Sequence, residues 1–177
     1  MPSLHASDAF VLPDLLEPGL RLVFCGTAAG TRSAKERAYY AHPGNMFWRT
    51  LFATGLTPRL FAPAEYPLLP LSGIGLTDLS KFHYGNDADL PVDAFDVGAL
   101  EEKIRRFAPR FIAFTSKHGG LAALGKGIGY GLQPRAFGGA QAFVLPSPSG
   151  QARRSWDVRV WQALADAVRD QVPGVDR

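Results

Sequence analysis

Arg21-Leu-Val-Phe-Cys-Gly-Thr-Ala-Ala-Gly30 is the stretch from which the fold is read. Arg21 to Cys25 is a short apolar run ending at Gly26, which suits a buried strand, and Gly26 to Gly30 is then a strand-to-loop turn. Outward from it, Asn45 to Thr54 (NMFWRTLFAT) reads as a helix ending near Gly55. Residues 57–72 hold four prolines and wander, with one helical turn around Pro63 to Leu69. Ile74 to Leu79 (IGLTDL) is a second strand, followed by a polar loop from Ser80 to Pro91. Val97 to Phe107 places Leu100, Ile104 and Phe107 on one helical face. Arg110 to Ser116 (RFIAFTS) is a third strand, Lys117 to Leu124 a helix, and Gly125 to Gly139 a glycine-rich link to the strand Gln141 to Leu145. After the loop Pro146 to Arg154, a last amphipathic helix runs from about Ser155 to Val172, with Val160, Leu164 and Val168 on one face.

Strands alternate with helices, which predicts an α/β fold: a three-layer α/β/α sandwich with a short, mostly parallel central sheet. Residues 1–19, with three prolines and little periodicity, read as an N-terminal arm, and residues 20–177 as a single domain without internal repeats. Ligands of such sheets bind beyond the carboxyl ends of the strands. The loops after Cys25, around Asp78, after Thr115 and after Leu145 are therefore the ones to watch.

Composition narrows the functional classes. With 46% hydrophobic, 20% charged and 11% aromatic residues in 177, disorder, collagen and coiled coil are excluded. The longest apolar runs fall far short of the roughly 20 residues that span a bilayer. The N-terminus, Met-Pro-Ser-Leu-His, lacks a basic region followed by an apolar one, so a cytoplasmic location is expected. A lone cysteine, Cys25, excludes an internal disulfide framework, a Cys-rich zinc site and a four-cysteine cluster. The net charge is only +3, yet basic residues gather at Arg32, Lys35 and Arg37, at Arg105, Arg106 and Arg110, and at Arg153 and Arg154. Such clusters are either ordinary solvated faces or the footprint of a polyanion.

The Gly26 to Gly30 turn matches neither the dinucleotide fingerprint nor the P-loop, and no H-E-x-x-H, G-x-S-x-G or usefully spaced Cys/His pair is present. Tyr39-Tyr-Ala-His-Pro-Gly-Asn-Met-Phe-Trp48 is the most concentrated segment. Asn45 there can cap the following helix while Phe47 and Trp48 pack inward. The pair Tyr39-Tyr40 offers large π faces beside a glycine turn, suited to stacking on a planar heterocycle. Leu145-Pro-Ser-Pro-Ser-Gly150, followed by Gln151-Ala-Arg-Arg154, is either a plain proline-rich turn or a loop built to approach a nucleic-acid backbone.

Together these residues resemble the uracil-DNA glycosylase superfamily, and most closely its mismatch-specific uracil-DNA and thymine-DNA glycosylase branch. That branch shows a G-I-N-P-G loop after a strand, then a segment like F-A-H-P-x-N-x-F-W, then G-x-T-x-L, then L-P-N-P-S-G. The counterparts are Gly26-Thr-Ala-Ala-Gly30, Tyr40-Ala-His-Pro-Gly-Asn-Met-Phe-Trp48, Gly75-Leu-Thr-Asp-Leu79 and Leu145-Pro-Ser-Pro-Ser-Gly150. The resemblance implies excision of uracil or a related deaminated or damaged base from DNA, as in base excision repair, by flipping the nucleotide and hydrolysing its N-glycosidic bond. It implies no metal and no cofactor, while the short apolar runs argue against a membrane partner and nothing in the sequence demands an oligomer. Tyr40 is then the stacking residue, Gly26, Thr27, Ala28, Ala29, Gly30, Ser33 and Ser147 line the base pocket, and Ser149, Gly150, Gln151, Arg153 and Lys117 meet DNA.

Two positions depart from the branch pattern. Ala28 stands where an Asn orients the attacking water, and Ser147 replaces the Asn of L-P-N-P-S-G. Asp78 is either a surface or capping Asp or a candidate substitute, since a carboxylate near the sugar can orient water and offset oxocarbenium charge, and Asp sits poorly inside a strand. His42 and Asn45 are the other catalytic candidates, each also explained by a structural role. The alternative is a damaged-DNA-binding protein of the same fold that cleaves poorly. A third reading, an esterase-like or small-nucleotide enzyme using Ser33, Ser116 or His118, has no supporting spacing.

Overall fold

The computed structural model describes residues 9–170. Its strands are β1 (Leu22–Gly26), β2 (Ile74–Asp78), β3 (Phe111–Phe114), β4 (Gly131–Leu132) and β5 (Gln141–Val144), and its α-helices are α1 (Thr31–Glu36), α2 (Phe47–Ala53), α3 (Val97–Phe107), α4 (Lys117–Leu124) and α5 (Val158–Asp170). The strands form one sheet in the order β2-β1-β3-β5-β4. All pairings are parallel except β4 with β5.

Side-chain parity builds the layers. Leu22 and Phe24 of β1, Ile74 and Leu76 of β2, Phe111 and Ala113 of β3 and Phe143 of β5 pack with Leu51 of α2 and Trp161, Leu164 and Val168 of α5. Val23, Cys25, Ile112, Phe114, Ala142 and Val144 meet Leu100 and Ile104 of α3 and Ala123 and Leu124 of α4 on the opposite face. The sheet is thus apolar on both sides, which explains why its strands read as unbroken runs rather than alternations. After β1 the chain turns to the α2 face, and after β3 to the α4 face. The crevice at the carboxyl ends between these neighbouring strands is therefore a topological switch point.

Several elements differ from the sequence reading. Helix α1 occupies a stretch to which the sequence reading assigned no element. Pro63–Ser72 is a ten-residue 3-10 helix rather than a single turn. The glycine-rich link contains β4, and a 3-10 helix over Gly150–Ser155 occupies the end of the expected loop. Helix α5 begins at Val158 instead of Ser155, where Asp157 Oδ1 accepts from Arg159 N at 3.0 Å. The predicted end of that helix at Val172 lies outside the described residues.

The segment read as an arm is joined to the sheet. Leu12 lies in the core, and Leu15 bridges antiparallel to Leu76, its N–H donating to Leu76 O at 2.9 Å and its carbonyl accepting from Leu76 N at 3.0 Å. This approach depends on Gly75, where a Cβ would stand 2.5 Å from Leu15 O. Gly75→Ala should therefore push the segment off the edge of β2 and cost about 1–3 kcal/mol, read as a lower urea midpoint; an unchanged midpoint would show that the segment yields without cost.

Candidate active site

The register of β1 with its two neighbours assembles the site. Gly26 pairs with Asp78 across β1 and β2, and Thr115 N donates to Cys25 O at 3.0 Å just beyond β3. Counting by twos from Phe24, Leu76 and Ala113 puts Gly26, Asp78 and Thr115 in one row on the α2 face. A Cβ on Gly26 would lie 2.6 Å from Asp78 Oδ1, 3.3 Å from Tyr40 Oη and 3.7 Å from Thr115 Oγ1. Three polar groups therefore converge over a Cα that only glycine leaves bare. The Tyr40 and Thr115 hydroxyls are hydrogen-bonded at 3.0 Å. One face of the Tyr40 ring is stacked on Phe47 of α2, 3.9 Å between centroids and 19° between planes. Tyr40 holds a left-handed φ of 51°, rare for an aromatic residue and costly unless the surroundings enforce it.

Asp78 is only 5% exposed, and burial and neighbouring charges, with no hydrogen-bond donor among them, act on its carboxyl. Its nearest charge is Lys81, whose Nζ lies 3.9 Å from Oδ2. Burial pushes the Asp78 carboxyl up to about 6, with Lys81 and Lys103 opposing the rise and Asp14 adding to it. Lys81, itself buried, also pairs with Asp14 Oδ1 at 2.9 Å and donates to Tyr39 Oη at 3.2 Å. Asp14 receives Lys103 at 2.7 Å on Oδ2 and the Thr77 hydroxyl at 2.7 Å on Oδ1. Burial alone would raise the Asp14 carboxyl, but Lys81, Lys103 and Thr77 hold it below the usual carboxylate range. The Tyr40 phenol is pushed well up by burial and by the Asp78 charge, so it stays a neutral donor. A carboxylate with open lone pairs beside a neutral hydroxyl can orient and deprotonate a water and face a developing cation.

The remaining sequence candidates divide into two groups. Thr27 donates to Asp87 Oδ1 at 2.6 Å, and Ala29 pairs with Tyr84, so the loop after β2 walls the Gly26 to Gly30 turn. Ala28 is half-buried within that turn, and Gly30 is the N-cap of α1. Ser33 is buried, its hydroxyl accepting from Ala41 N at 3.0 Å. His42 is exposed and its Nδ1 accepts from Gly44 N at 2.9 Å, while Asn45 Oδ1 accepts from Phe47 N at 2.9 Å, so both serve the turn that starts α2. Ser147 and Ser149 spend their hydroxyl oxygens on the backbone amides of Ser149 and Gln151. Gly150 abuts Gly44 O, and Met46 N donates to Pro148 O at 2.8 Å, joining this loop to the turn before α2. Between them lies a cavity of about 390 Å³ lined by Arg49, Arg153, Ser149, Met46 and Trp156 among others. Gln151 is exposed beside it. Lys117 sits apart, in a cavity of about 450 Å³ with His118 and Lys126. Ser116 caps α4 through Gly119 N, and His118 packs edge-on against Phe95.

The sequence reading missed Thr115, Lys81, Asp14, Arg49 and Trp156. Thr115 was accessible by parity from Ala113, and Lys81 stands three residues after Asp78. Among the described residues no group of three His, Cys, Asp or Glu side chains is placed to hold a metal, and no helix is long and apolar enough to cross a membrane.

Fold and site thus define a doubly wound α/β protein with a buried carboxylate at its switch point. The sequence model of the uracil DNA glycosylase superfamily matches residues 13–165. The chain belongs to that superfamily. It is also similar to the solution NMR structure of a candidate uracil DNA glycosylase from Methanosarcina acetivorans, at 26% identity and a TM-score of 0.61 over 89% of this chain and 96% of the other.

The raised Asp78 carboxyl bears on stability. Between its ordinary unfolded value and about 6 the folded state binds a proton that the unfolded state releases, so stability is lost as pH rises through this window. Asp78→Asn should abolish that loss and be the more stable protein at pH 8 by on the order of 2 to 3 kcal/mol. Equal stability of the two proteins from pH 4 to 8 in urea titrations would place Asp78 in a solvated setting instead.

Proposed function

We propose that the chain is a monofunctional DNA glycosylase of the mismatch-specific uracil-DNA and thymine-DNA type, acting on uracil or a related deaminated base without metal or cofactor. The observation that carries this reading is the Asp78 carboxylate poised over bare Gly26 beside the Tyr40 ring and hydroxyl. A flipped nucleotide enters the crevice, its base stacking against Tyr40, with the Gly26 to Gly30 turn beside the sugar. As the N-glycosidic bond breaks, its electron pair leaves with the base and positive charge grows on the sugar. Asp78 orients a water, takes one of its protons as the oxygen bonds to the sugar carbon, and offsets that charge. Ala28 is then no defect, because the water-holding group has moved from the turn to the end of β2. The DNA backbone lies along the cavity flanked by Arg49 and Arg153, where guanidinium groups and the rigid Ser147 to Gly150 loop suit phosphates.

A second reading, a binder of damaged DNA that cleaves poorly, is favoured by the methyl group of Ala28 and by the Ser147 hydroxyl, which is engaged with its own loop. Single-turnover excision from G·U, G·T and G·hypoxanthine duplexes and from single-stranded uracil DNA separates the two. Wild type should excise, with a rate that falls as pH drops through about 6, and Asp78→Ala should lose about 10² to 10⁴-fold while still binding DNA. Binding without excision by wild type, with activity gained in Ala28→Asn, would establish the binder instead. Arg153→Ala should weaken binding to all sequences and lower the salt slope by about one phosphate contact; an unchanged slope removes Arg153 from the interface.

A further inference from the structure

We propose that Lys81 is a positioning residue, held by Asp14 so that its ammonium faces Asp78 Oδ2 and keeps that carboxylate charged while Oδ1 stays free for the pocket. This rests on the reading of Asp78 as the group that works on water.

The geometry is specific. Lys81 Nζ stands 2.9 Å from Asp14 Oδ1, 3.2 Å from Tyr39 Oη and 3.9 Å from Asp78 Oδ2. Its closest bonds go to Asp14 and Tyr39, away from the pocket, and Tyr39 is fixed in turn by donating to Pro13 O at 3.1 Å. Asp14 is pinned by Lys103 and Thr77. The ammonium is also confined by aromatic rings, 5.2 Å from the Phe10 centroid and 5.7 Å from that of Tyr39. Lys81 therefore acts on Asp78 by charge, without a hydrogen bond that would consume the carboxylate's lone pairs.

A buried carboxylate with no cation beside it would stay protonated at neutral pH and could take no proton from water. One gripped by a short ion pair would be a weak base with an occupied oxygen. A lysine at 3.9 Å, bound more tightly to a second acid, lies between these extremes. The groups facing Asp78 are Lys81 from its own loop, Asp14 from the N-terminal segment, Lys103 from α3, Tyr39 and Tyr40 from the chain after α1, and Cys25 from β1. Lys81 and Asp14 carry opposite charges, so their removal should act on Asp78 in opposite directions.

The test follows the Asp78 side-chain carboxyl carbon by NMR against pH in wild type, Lys81→Met, Lys81→Arg and Asp14→Asn, with Asp78→Asn to assign the signal, alongside single-turnover excision on a G·U duplex. The midpoint should rise by about one pH unit or more in Lys81→Met and fall in Asp14→Asn, while Lys81→Arg stays near wild type. The acid limb of excision should move with it. Midpoints that coincide in wild type and Asp14→Asn, or shift alike in both charge-removing variants, would overturn the proposal, and Asp14→Asn decides the matter should Lys81→Met fail to fold. If midpoints shift as stated but excision keeps its acid limb even in Asp78→Asn, the tuning stands and the catalytic reading of Asp78 falls.

Discussion

The parallel pairing that holds β1 between β2 and β3 is the constraint on which the site depends. It sets Gly26 between Asp78 and Thr115 on a single face, and a slip of one residue would send Asp78 to the α3 and α4 side of the sheet. The absence of a side chain at Gly26 is part of the same constraint, because the carboxylate occupies the space a Cβ would need. Phe47 then couples this row to α2, since its ring lies under Tyr40 and also packs edge-on against Phe24 and Trp161. A substitution in that aromatic stack would thus be felt at the carboxylate without touching it.

Two features of the site work against stability. The left-handed backbone of Tyr40 costs about 1–2 kcal/mol, and a stacked ring and one hydrogen bond return a similar amount. The buried group of Asp14, Lys81 and Asp78 carries a larger desolvation cost, and well-packed apolar residues of equal volume would often do as well or better. Neither feature is needed to close the sheet, whose apolar faces are complete without them. Strain and buried charge coincide at the carboxyl ends of β1 and β2, the place where this topology binds ligands.

Much of this was legible in the sequence because it is local. Runs such as Leu22–Gly26 and the periodic face of Val97–Phe107 announce their elements, and Asp78 drew notice because it lies in the Gly75 to Leu79 segment that resembles G-x-T-x-L. Tyr40 followed from its segment and Thr115 could have followed from parity. Asp14 could not, since its partners Thr77 and Lys103 are 63 and 89 residues away and nothing near it in the chain hints at them. The two-residue β4 has too little length for any period, and the 3-10 helix over Pro63–Ser72 hides in prolines that normally signal irregular chain. Arg49 and Trp156 were hidden for a different reason, because their neighbours already had a structural explanation as helix and cap.

In the proposed reaction a carboxylate at the end of β2 takes the place of a neutral amide in the first turn, which changes what the surrounding protein must supply. An amide orients water at any pH and asks nothing of distant residues. A carboxylate can also take the proton and oppose sugar charge, but only while ionised, and burial beside Gly26 works against ionisation. The site therefore needs a cation, and that cation must not compete with water for the free oxygen. In that proposal Lys81 meets both demands because Asp14 and Tyr39 hold its ammonium from behind and Thr77 holds Asp14, which links the N-terminal segment to the proposed chemistry as well as to the sheet edge. In the proposed reaction, Ala28 and the Asp14–Lys81 pair are accordingly two halves of one change.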